Sequence, residues 1–475
     1  MKPVLNLLSA DEKEALHERS LRVLSTTGVK VETGRGRACL ARYGAQVGGK
    51  NHVVRLPREV VERALQSVPR RFSLGARRTG RDLPMNTGGC TLLMSGEGTR
   101  AIDRVTGEYR DSTFDDWLAA TRLADALDEI GVYWCIVTAT DRKGTMRDYV
   151  DYLYSLFANF SKHVQDVVAS TDHAVWLKEA LQIVFGSTNE IRQKKPLSLV
   201  LCPESPLRID ARYTEAYLEL AGYGLPVAVV PMPLMGATAP ASLASTLLMA
   251  NCEILATLTL VQAAEEGVPV IYAPVSALMD PRTGCVKSGA VEHGLISAAS
   301  TEMARYYGLA AQTSGLGTAA FTPGIQSSYQ AAMTASLAVM ARPDILEGAG
   351  LLGSSMILSL EKMMIDVEIF NACLHAGKGI PTGGDRWMED LIDEKGPGGH
   401  FLDHPSTLEA LRAGVWQMSG LERSWSFEEW DDGGRETLLG RSRRQVDRIL
   451  ASHRSLPLGD EIDGEFQRLK KKACE

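Results

Sequence analysis

Short apolar runs recur along the chain from about residue 90 to residue 380, and each run after the first is followed promptly by a helix-like stretch. The eight runs occupy residues 90–96, 131–138, 163–170, 197–203, 226–232, 269–275, 309–315 and 345–352. Eight strands alternating with helices is the number that closes a parallel α/β barrel, the (β/α)8 or TIM barrel. Because such a barrel carries its working residues in the loops after the strands, the pattern also predicts where the functional site lies.

Part of the chain must lie outside the barrel, because a barrel of this kind uses roughly 250 residues and the chain has 475. We predict a helical and mixed N-terminal extension at 1–88, the barrel at 89–380, and a C-terminal helical extension at 381–475 that packs on the barrel. A Gly- and Pro-rich stretch after residue 380 marks the exit from the barrel.

Local signals add detail to this outline. Ser9 and Glu12 have the spacing of a capping box before the first helix, and Thr106-Gly107 indicates a hairpin. A helix is predicted to begin near Ser112 with Asp115 as its capping partner.

The fifth barrel helix, at 241–264, is apolar almost all round, which is typical of a helix enclosed by neighbours or by a partner subunit. Together with the apolar eighth helix at 360–377, it predicts a homo-oligomer.

Charge and targeting signals narrow the function classes. The net charge of -7 comes without clustered Lys and Arg of the kind that bind nucleic acid. Acidic residues appear too early at the N-terminus for a signal peptide, and no uncharged run of about 18 apolar residues exists. We therefore expect a cytoplasmic protein that binds neither nucleic acid nor membranes.

Motifs for nucleotides and metals are missing from the sequence. It contains no GxGxxG at a strand end, no GxxxxGK[ST] and no HExxH, and its eight cysteines lie far apart without a CxxC pair. We expect that the chain itself binds no metal and no nucleotide, and that it forms no disulfide framework.

Carboxylates, aromatics and an amide stand inside or just after the predicted strands instead. These residues are Glu97, Trp134, Asp166, Tyr272, Gln312 and Glu347. Carboxylates and aromatic rings together at a barrel mouth can hold a quaternary ammonium ion, since a permanent cation is attracted to ring faces and to negative charge. Structural ion pairs with arginines such as Arg305 or Arg342 are the alternative for Asp166 and Glu347. Core packing is the alternative for Trp134 and Tyr272.

Four long blocks carry a family resemblance. They are CPESPLRID at 202–210, VVPMPLMGATAPASLASTLLMANCEILA at 229–256, PVIYAPVSALMDPRTG at 269–284 and KGPGGHFLDHPSTLEALR at 395–412. They closely resemble the trimethylamine methyltransferase family of corrinoid-dependent enzymes, and the likeness runs over nearly the whole chain. The resemblance implies a barrel enzyme that passes an N-methyl group to cob(I)alamin on a separate corrinoid protein. This chain lacks the D-x-H-x-x-G motif of corrinoid-binding domains, so we expect it to purify colourless.

One segment departs from part of that family. Archaeal trimethylamine members carry pyrrolysine after the seventh strand, in a stretch that resembles residues 318–326 here, where Phe321 or Thr322 takes the special position. Without an activating group, a methyl group leaves a quaternary nitrogen readily because the departing tertiary amine is neutral. The resemblance to family members that lack pyrrolysine agrees with this reasoning, because it implies a quaternary amine substrate such as glycine betaine, proline betaine, carnitine or γ-butyrobetaine. We therefore expect a quaternary amine methyltransferase, with glycine betaine as the leading substrate.

The resemblance and the strand-end residues together give a predicted site. Trp134, Tyr272 and Phe321 are expected to form its walls, and Glu97, Asp166 and Glu347 are expected to face the ammonium group. His163, Lys162 or Gln312 is expected to bind the substrate carboxylate, and the sequence does not choose among them. The residues expected to face the corrinoid lie in the loop at 235–240: Met235, Gly236 and Thr238.

Two other functions fit the same pattern. One is a corrinoid methyltransferase for O- or S-methyl donors, which commonly recruit zinc to stabilise the leaving group. The other is a barrel that binds betaines without turnover.

Overall fold

Eight parallel strands close into a barrel in the computed structural model, which describes residues 4–48, 51–94, 96–384 and 386–474. The strands are β1 Thr91–Met94, β2 Ile130–Tyr133, β3 His163–Asp166, β4 Leu197–Leu201, β5 Val227–Val229, β6 Val270–Tyr272, β7 Ala310–Ser314 and β8 Ile345–Ala349. Each strand pairs with the next along the chain, and β8 pairs with β1 to close the barrel. Every strand lies within one residue of a predicted run, so the predicted fold is confirmed.

Seventeen helices accompany the barrel strands in the described part of the chain. Three precede it: α1 Ala10–Thr26, α2 Gly34–Arg42 and α3 Arg58–Ser67. The helices between the strands and after β8 are α4 Phe114–Ala126, α5 Met146–Asn159, α6 Thr171–Phe185, α7 Thr188–Lys194, α8 Arg212–Leu220, α9 Leu243–Ala264, α10 Val291–Tyr307, α11 Ile325–Met340 and α12 Leu360–Ala376. The C-terminal helices are α13 Glu389–Lys395, α14 Pro405–Arg412, α15 Phe427–Asp432, α16 Leu438–Ser452 and α17 Asp460–Lys472.

Short strands outside the barrel form four small sheets in the described residues. Val29–Val31, Gln46–Val47, Val53–Arg55 and Arg208–Ile209 form one four-stranded sheet. Arg100–Ile102, Tyr109–Asp111, Leu351–Leu352 and Ile357–Leu358 form another, which contains the predicted hairpin. Ser73–Leu74 pairs with Leu83–Pro84, and Leu234–Met235 pairs with Ala277–Leu278.

The capping residues predicted from the sequence are correct for one helix and displaced by one residue for another. Ser9 and Glu12 form the predicted capping box of α1. Helix α4, in contrast, is capped by Thr113 with Asp116 rather than by Ser112 with Asp115. The reason is that Ser112 is fully buried and its hydroxyl donates to the Thr138 carbonyl at 2.6 Å, so it is not available as a cap.

The N-terminal extension explains the apolar character of α9. Helices α1, α2 and α3 all pack against α9, which is long and apolar enough to cross a membrane by composition but has 78% of its apolar window buried in the fold. Helix α12 is likewise covered, by α11 and α16. Other helices of the same chain therefore cover the apolar surfaces of α9 and α12. The homo-oligomer loses this support and stays a prediction.

Candidate active site

A cavity of about 480 Å³ opens at the carboxyl ends of the barrel strands. Its lining comes from the loops after most of the strands: Gly96, Glu97, Trp134, Val167, Cys202, Pro203, Glu204, Ser205, Tyr213, Met232, Thr238, Val275, Glu347 and Ser355. Three of the predicted site residues, Glu97, Trp134 and Glu347, thus meet in one cavity. A larger groove of about 670 Å³ lies between α6 and α17, on the outside of the barrel.

Two smaller cavities adjoin this central cavity and share wall residues with it. A lobe of about 380 Å³ lies on the side of β7 and β8 and shares Glu347, Met232 and Thr238 with the central cavity. A lobe of about 290 Å³ lies on the side of β2 and β3 and shares Glu97 and Val167. We call these the β7–β8 lobe and the β2–β3 lobe. Asp166 lines the β2–β3 lobe.

Glu347 is held at the mouth by an irregularity in β8. The register with β1 shifts between Glu347 and Ala349, and the intervening Gly348 has a φ of +125°. A Cβ at position 348 would lie 2.2 Å from the Gly315 carbonyl oxygen, so only glycine fits there. Burial raises the pKa of Glu347 to about 7, and the hydrogen bond from Gln312 opposes the rise in part.

A chain of buried polar side chains runs down the barrel interior from Glu347. Gln312 Nε2 donates to Glu347 Oε2 at 2.8 Å, and Gln165 Nε2 donates to Gln312 Oε1 at 3.0 Å. Ser198 Oγ donates to Gln165 Oε1 at 3.3 Å and lies 3.0 Å from Nε2 of His163. Gln312 therefore positions Glu347 from below, with both ends of its amide engaged.

Asp166 ends β3 inside a group of aromatic residues. Tyr152 donates its hydroxyl proton to Asp166 Oδ2 at 2.7 Å, and the Val167 amide donates to Oδ1 at 2.9 Å. Burial, with a smaller contribution from the Glu97 charge, raises the pKa of Asp166 to about 7. No Lys or Arg in the described part of the chain forms a salt bridge with Asp166 or Glu347, so the alternative of ion pairs with Arg305 or Arg342 is not what holds them.

Glu97 and Trp134 are neighbours in the lining of the central cavity. Burial raises the pKa of Glu97, and the nearby Trp134 indole lowers it in part. The Trp134 side chain is 92% buried, yet its Nε1 has no hydrogen-bond partner and lies outside bonding geometry with Glu97. Trp134 therefore lines the cavity with an indole whose N–H has no hydrogen-bond partner.

The β2–β3 lobe contains aromatic residues that the sequence pattern did not point to. Tyr149 stacks on His173 with ring centroids 4.0 Å apart, and Phe114 stacks on Trp117 at 5.0 Å. These rings line the lobe together with Tyr152, Asp166 and Glu97. They come from the starts of helices α4, α5 and α6, and only the folded barrel brings them together. A carboxyl enclosed by ring faces suits a quaternary ammonium ion.

Tyr272 lies elsewhere, which corrects its predicted position. Its side chain is fully buried, and its hydroxyl donates to Asn251 Oδ1 on α9 at 3.0 Å. Successive strand residues point to opposite faces, and the residues on either side of Tyr272, Ile271 in β6 and Ala273 just after it, pack in the barrel interior. Tyr272 therefore points outward, under the helices, and does not line the mouth.

His163 and Lys162 lie at the opposite end of the barrel from the cavity. His163 begins β3, and its Nδ1 lies 3.0 Å from the Gly75 carbonyl oxygen. Lys162 Nζ donates to the carbonyls of Ala124, Leu127 and Ile130. Because the first residue of a barrel strand lies at its amino end, neither side chain reaches the mouth.

Phe321 and Thr322 lie on the rim and do not line the cavities. Both are exposed, Phe321 by 63%. The Phe321 carbonyl accepts a hydrogen bond from the Tyr109 hydroxyl at 2.9 Å, which holds this loop against the hairpin outside the mouth. Thr318, at the start of the same segment, does line the β7–β8 lobe.

The loop predicted to face the corrinoid does border the mouth. Thr238 lines both the central cavity and the β7–β8 lobe, and its Oγ1 accepts a hydrogen bond from the Leu234 amide at 2.8 Å. Met235 pairs with Leu278, and Gly236 at the exposed tip has a φ of +86°. Met232, just before this loop, is 52% exposed in the same wall.

We expect the Asp166→Asn variant to be more stable than the wild type at pH 8 and not at pH 5. The raised folded-state pKa of Asp166 favours the protonated acid, so its stabilising contribution is complete below the unfolded pKa near 4 and is lost as the pH rises through about 7. Asparagine removes the cost of the buried charge, and the gain in melting temperature at pH 8 should be about 3 °C. Thermal melts at both pH values test this, and an equal shift at both would contradict it.

Comparisons with known proteins bear on this site. Residues 1–474 match the family model described as Trimethylamine methyltransferase (MTTB). Trimethylamine methyltransferase MttB of Methanosarcina barkeri (strain Fusaro) is 30% identical over 477 residues, which are 99% of this chain and 95% of that protein. Glycine betaine methyltransferase of Desulfitobacterium hafniense (strain Y51) is 30% identical over 466 residues, 98% and 96% of the two chains. A crystal structure of the hydroxylamine complex of MtmB has a TM-score of 0.50 at 11% identity, covers 98% and 92% of the two chains, and shares the fold.

Proposed function

The chain belongs to the trimethylamine methyltransferase family, and we propose that it moves a methyl group from a quaternary amine to cob(I)alamin on a separate corrinoid protein. Glycine betaine is the leading substrate, in line with the name of the Desulfitobacterium hafniense relative. The observation that carries the proposal is the set of three carboxyls around a mouth walled by aromatic rings: Asp166 and Glu347, which are buried, and Glu97, which is exposed at the rim of the cavity.

A permanent cation is the ligand that suits these carboxyls best. Desolvation makes each of them reluctant to ionise, and a cation at the mouth reverses that penalty because it favours the charged form. Trp134 offers a ring face beside Glu97, where cation–π attraction adds to the carboxylate charge. The site would therefore hold the ammonium centre by charge and ring faces, while its walls exclude water.

The chemistry needs little else from this chain. The partner's corrinoid would supply the nucleophile: the electron pair of cobalt(I) would form the new bond to the methyl carbon, nitrogen would keep the electron pair of the broken bond, and no proton would move. A quaternary nitrogen departs as a neutral tertiary amine, so no acid is required at the leaving group. Residues 318–326 contain no pyrrolysine, which favours a quaternary over a tertiary amine as the substrate. The contribution of the protein is then to orient the methyl group toward the mouth.

A methyl-transfer assay tests the proposal directly. Purified protein is incubated with cob(I)alamin under a competent reductant and with glycine betaine, proline betaine, carnitine or γ-butyrobetaine in turn. We expect methylcobalamin and the matching demethylated amine in equal amounts for at least one betaine, and none with trimethylamine. Failure with every betaine, with the reductant shown to be competent, would overturn the proposal.

The same preparation separates the two alternatives. Zinc-assisted transfer from O- or S-methyl donors requires stoichiometric zinc, which elemental analysis measures. Within the described ranges no three His, Cys, Asp or Glu side chains group as metal ligands. Tight betaine binding by calorimetry without methyl transfer would instead favour a binding barrel. The corrinoid partner and the cytoplasmic location remain predictions.

A further inference from the structure

A histidine that the sequence pattern did not point to lies in the wall of the β7–β8 lobe. His293 is the third residue of α10 and is 98% buried, and the structure shows no hydrogen-bond partner for either of its ring nitrogens. Burial lowers the pKa of His293 to about 4, and the nearby Ser288 carbonyl offsets this in part without forming a hydrogen bond. A buried imidazole without a partner forgoes interactions that water would give it in the unfolded chain.

Several other polar groups of this lobe already have partners. Thr318 Oγ1 donates to Gln330 Oε1 at 2.7 Å, Ser288 Oγ donates to Ser354 Oγ at 3.0 Å, and Ser354 Oγ also donates to the Val286 carbonyl at 2.9 Å. His293 is thus a side chain of the lobe whose two ring nitrogens are buried and still free to form hydrogen bonds.

The first turn of α10 adds a favourable field for an anion. The helix has 17 residues, and its N-cap residue, Ala290, provides no side-chain cap. An uncapped helix N-terminus carries partial positive charge and favours a negative group nearby. Glu292, the acidic residue of this turn, does not line the lobe.

We propose that His293 and the N-terminus of α10 form the subsite for the carboxylate of a zwitterionic quaternary amine, in the same lobe where Glu347 meets the ammonium group. The inference rests on the proposed function and adds the binding of the second end of the substrate. A carboxylate accepts hydrogen bonds, which a ring N–H supplies, and it complements the field of the helix. One wall of the lobe thus offers negative charge and another a donor, as a zwitterion requires.

Two ligands that differ only in the anionic end test this role. Glycine betaine and choline share the trimethylammonium group, but choline has a hydroxyl in place of the carboxylate. In the His293→Leu variant, the affinity for glycine betaine should fall about ten- to a hundredfold, the range for a hydrogen bond to a charged group, while the choline affinity stays unchanged. His293→Gln restores an N–H donor and should recover most of the loss. Calorimetry at pH 8 measures all six affinities, those of the wild type and the two variants for each ligand.

Controls separate this inference from the proposed function. His163→Gln alters another buried histidine at the far end of the barrel and should leave the ratio of the two affinities unchanged. If His293→Leu weakens both ligands equally, or neither, the carboxylate subsite is wrong while quaternary amine binding stands. If the wild type binds neither ligand, glycine betaine is wrong as the substrate and the subsite inferred for its carboxylate fails with it, whereas the methyl-transfer assay with the other betaines still tests the proposed function.

A measurement on the wild type covers the case in which the variants do not fold. The pKa of His293, read from a pH titration of its ring resonances, should shift upward when glycine betaine is added, because a neighbouring carboxylate raises the pKa of an imidazole. Choline should not produce this shift. A glycine betaine complex with an unchanged pKa of His293 would overturn the proposal.

Discussion

Replacing Glu347 with glutamine is expected to weaken the binding of every quaternary ammonium ligand about a hundredfold at pH 8, because removing one partner of a buried charge pair costs several kcal/mol. The loss should be the same for glycine betaine and choline, since both present the same cationic group. This common loss distinguishes Glu347 from His293, whose replacement should affect glycine betaine alone. Calorimetric titration of both ligands against the purified variant measures it.

The substitution is nearly isosteric, so the fold should survive it. The amide oxygen of glutamine can accept the hydrogen bond that Gln312 Nε2 now gives to Glu347. Burial raises the pKa of the Glu347 carboxyl to about 7, so above that pH the folded protein bears the free-energy cost of a buried carboxylate. The substitution removes this cost. The variant should therefore melt no lower than the wild type at pH 8.

Asp344 provides a matched control at the other end of the same strand. It is a buried carboxyl immediately before β8 and accepts backbone hydrogen bonds from Asn86 and Ala311. Asp344→Asn removes an equivalent charge from the closed end of the barrel and should leave ligand affinity unchanged. Equal loss of affinity in the two variants, or full affinity in Glu347→Gln, would contradict the role given to Glu347.

The barrel was predictable because its signal is repeated. Eight apolar runs at regular spacing leave few other architectures, and each short strand is buried on both sides. Glu97, Trp134 and Glu347 were located by the same logic, since they stand at carboxyl ends of strands. His163 was within reach too: it opens its run, so the direction of the strand already assigns it to the far end.

Other residues depend on information that the sequence pattern does not carry. Whether Tyr272 faces inward or outward depends on the exact register of a three-residue strand, and a shift of one residue reverses it. Tyr149, His173 and His293 stand at the starts of three different helices. They come together at the mouth only because the barrel closes. No local signal in the sequence distinguishes any of them from an ordinary helix residue.

The apolar helix α9 shows a third kind of limit. Its composition predicted that other segments pack on its apolar surface, but did not show which ones. A partner subunit and the N-terminal extension were both compatible with the composition. Asn251 and Glu253 show the actual arrangement, because Asn251 Nδ2 donates to Ser20 Oγ on α1 and Glu253 accepts from Ser205 and the Leu207 amide. Polar residues on an apolar helix thus identify the segments that contact it.

The affinity for choline should fall about a hundredfold as the pH is lowered from 8 to 5. Burial raises the pKa of Glu347 to about 7, so at pH 8 the carboxyl is mostly ionised and ready for a cation. Below its pKa the carboxyl holds a proton that the cation must displace, which costs tenfold in affinity per pH unit. Choline has no group that titrates in this range, so the dependence comes from the protein. Calorimetry at intervals of half a pH unit measures the profile.

Glu347→Gln and a neutral ligand identify the group responsible. In the variant, the profile should be shallower but not flat, because Asp166, whose pKa burial also raises to about 7, remains beside the adjoining lobe. The neutral isostere of choline, 3,3-dimethyl-1-butanol, should bind no more weakly at pH 5 than at pH 8, since the protonated carboxyls favour an uncharged ligand. A choline affinity that is flat across this range, or that rises as the pH falls, would mean that the carboxyls at the mouth do not meet the ammonium group.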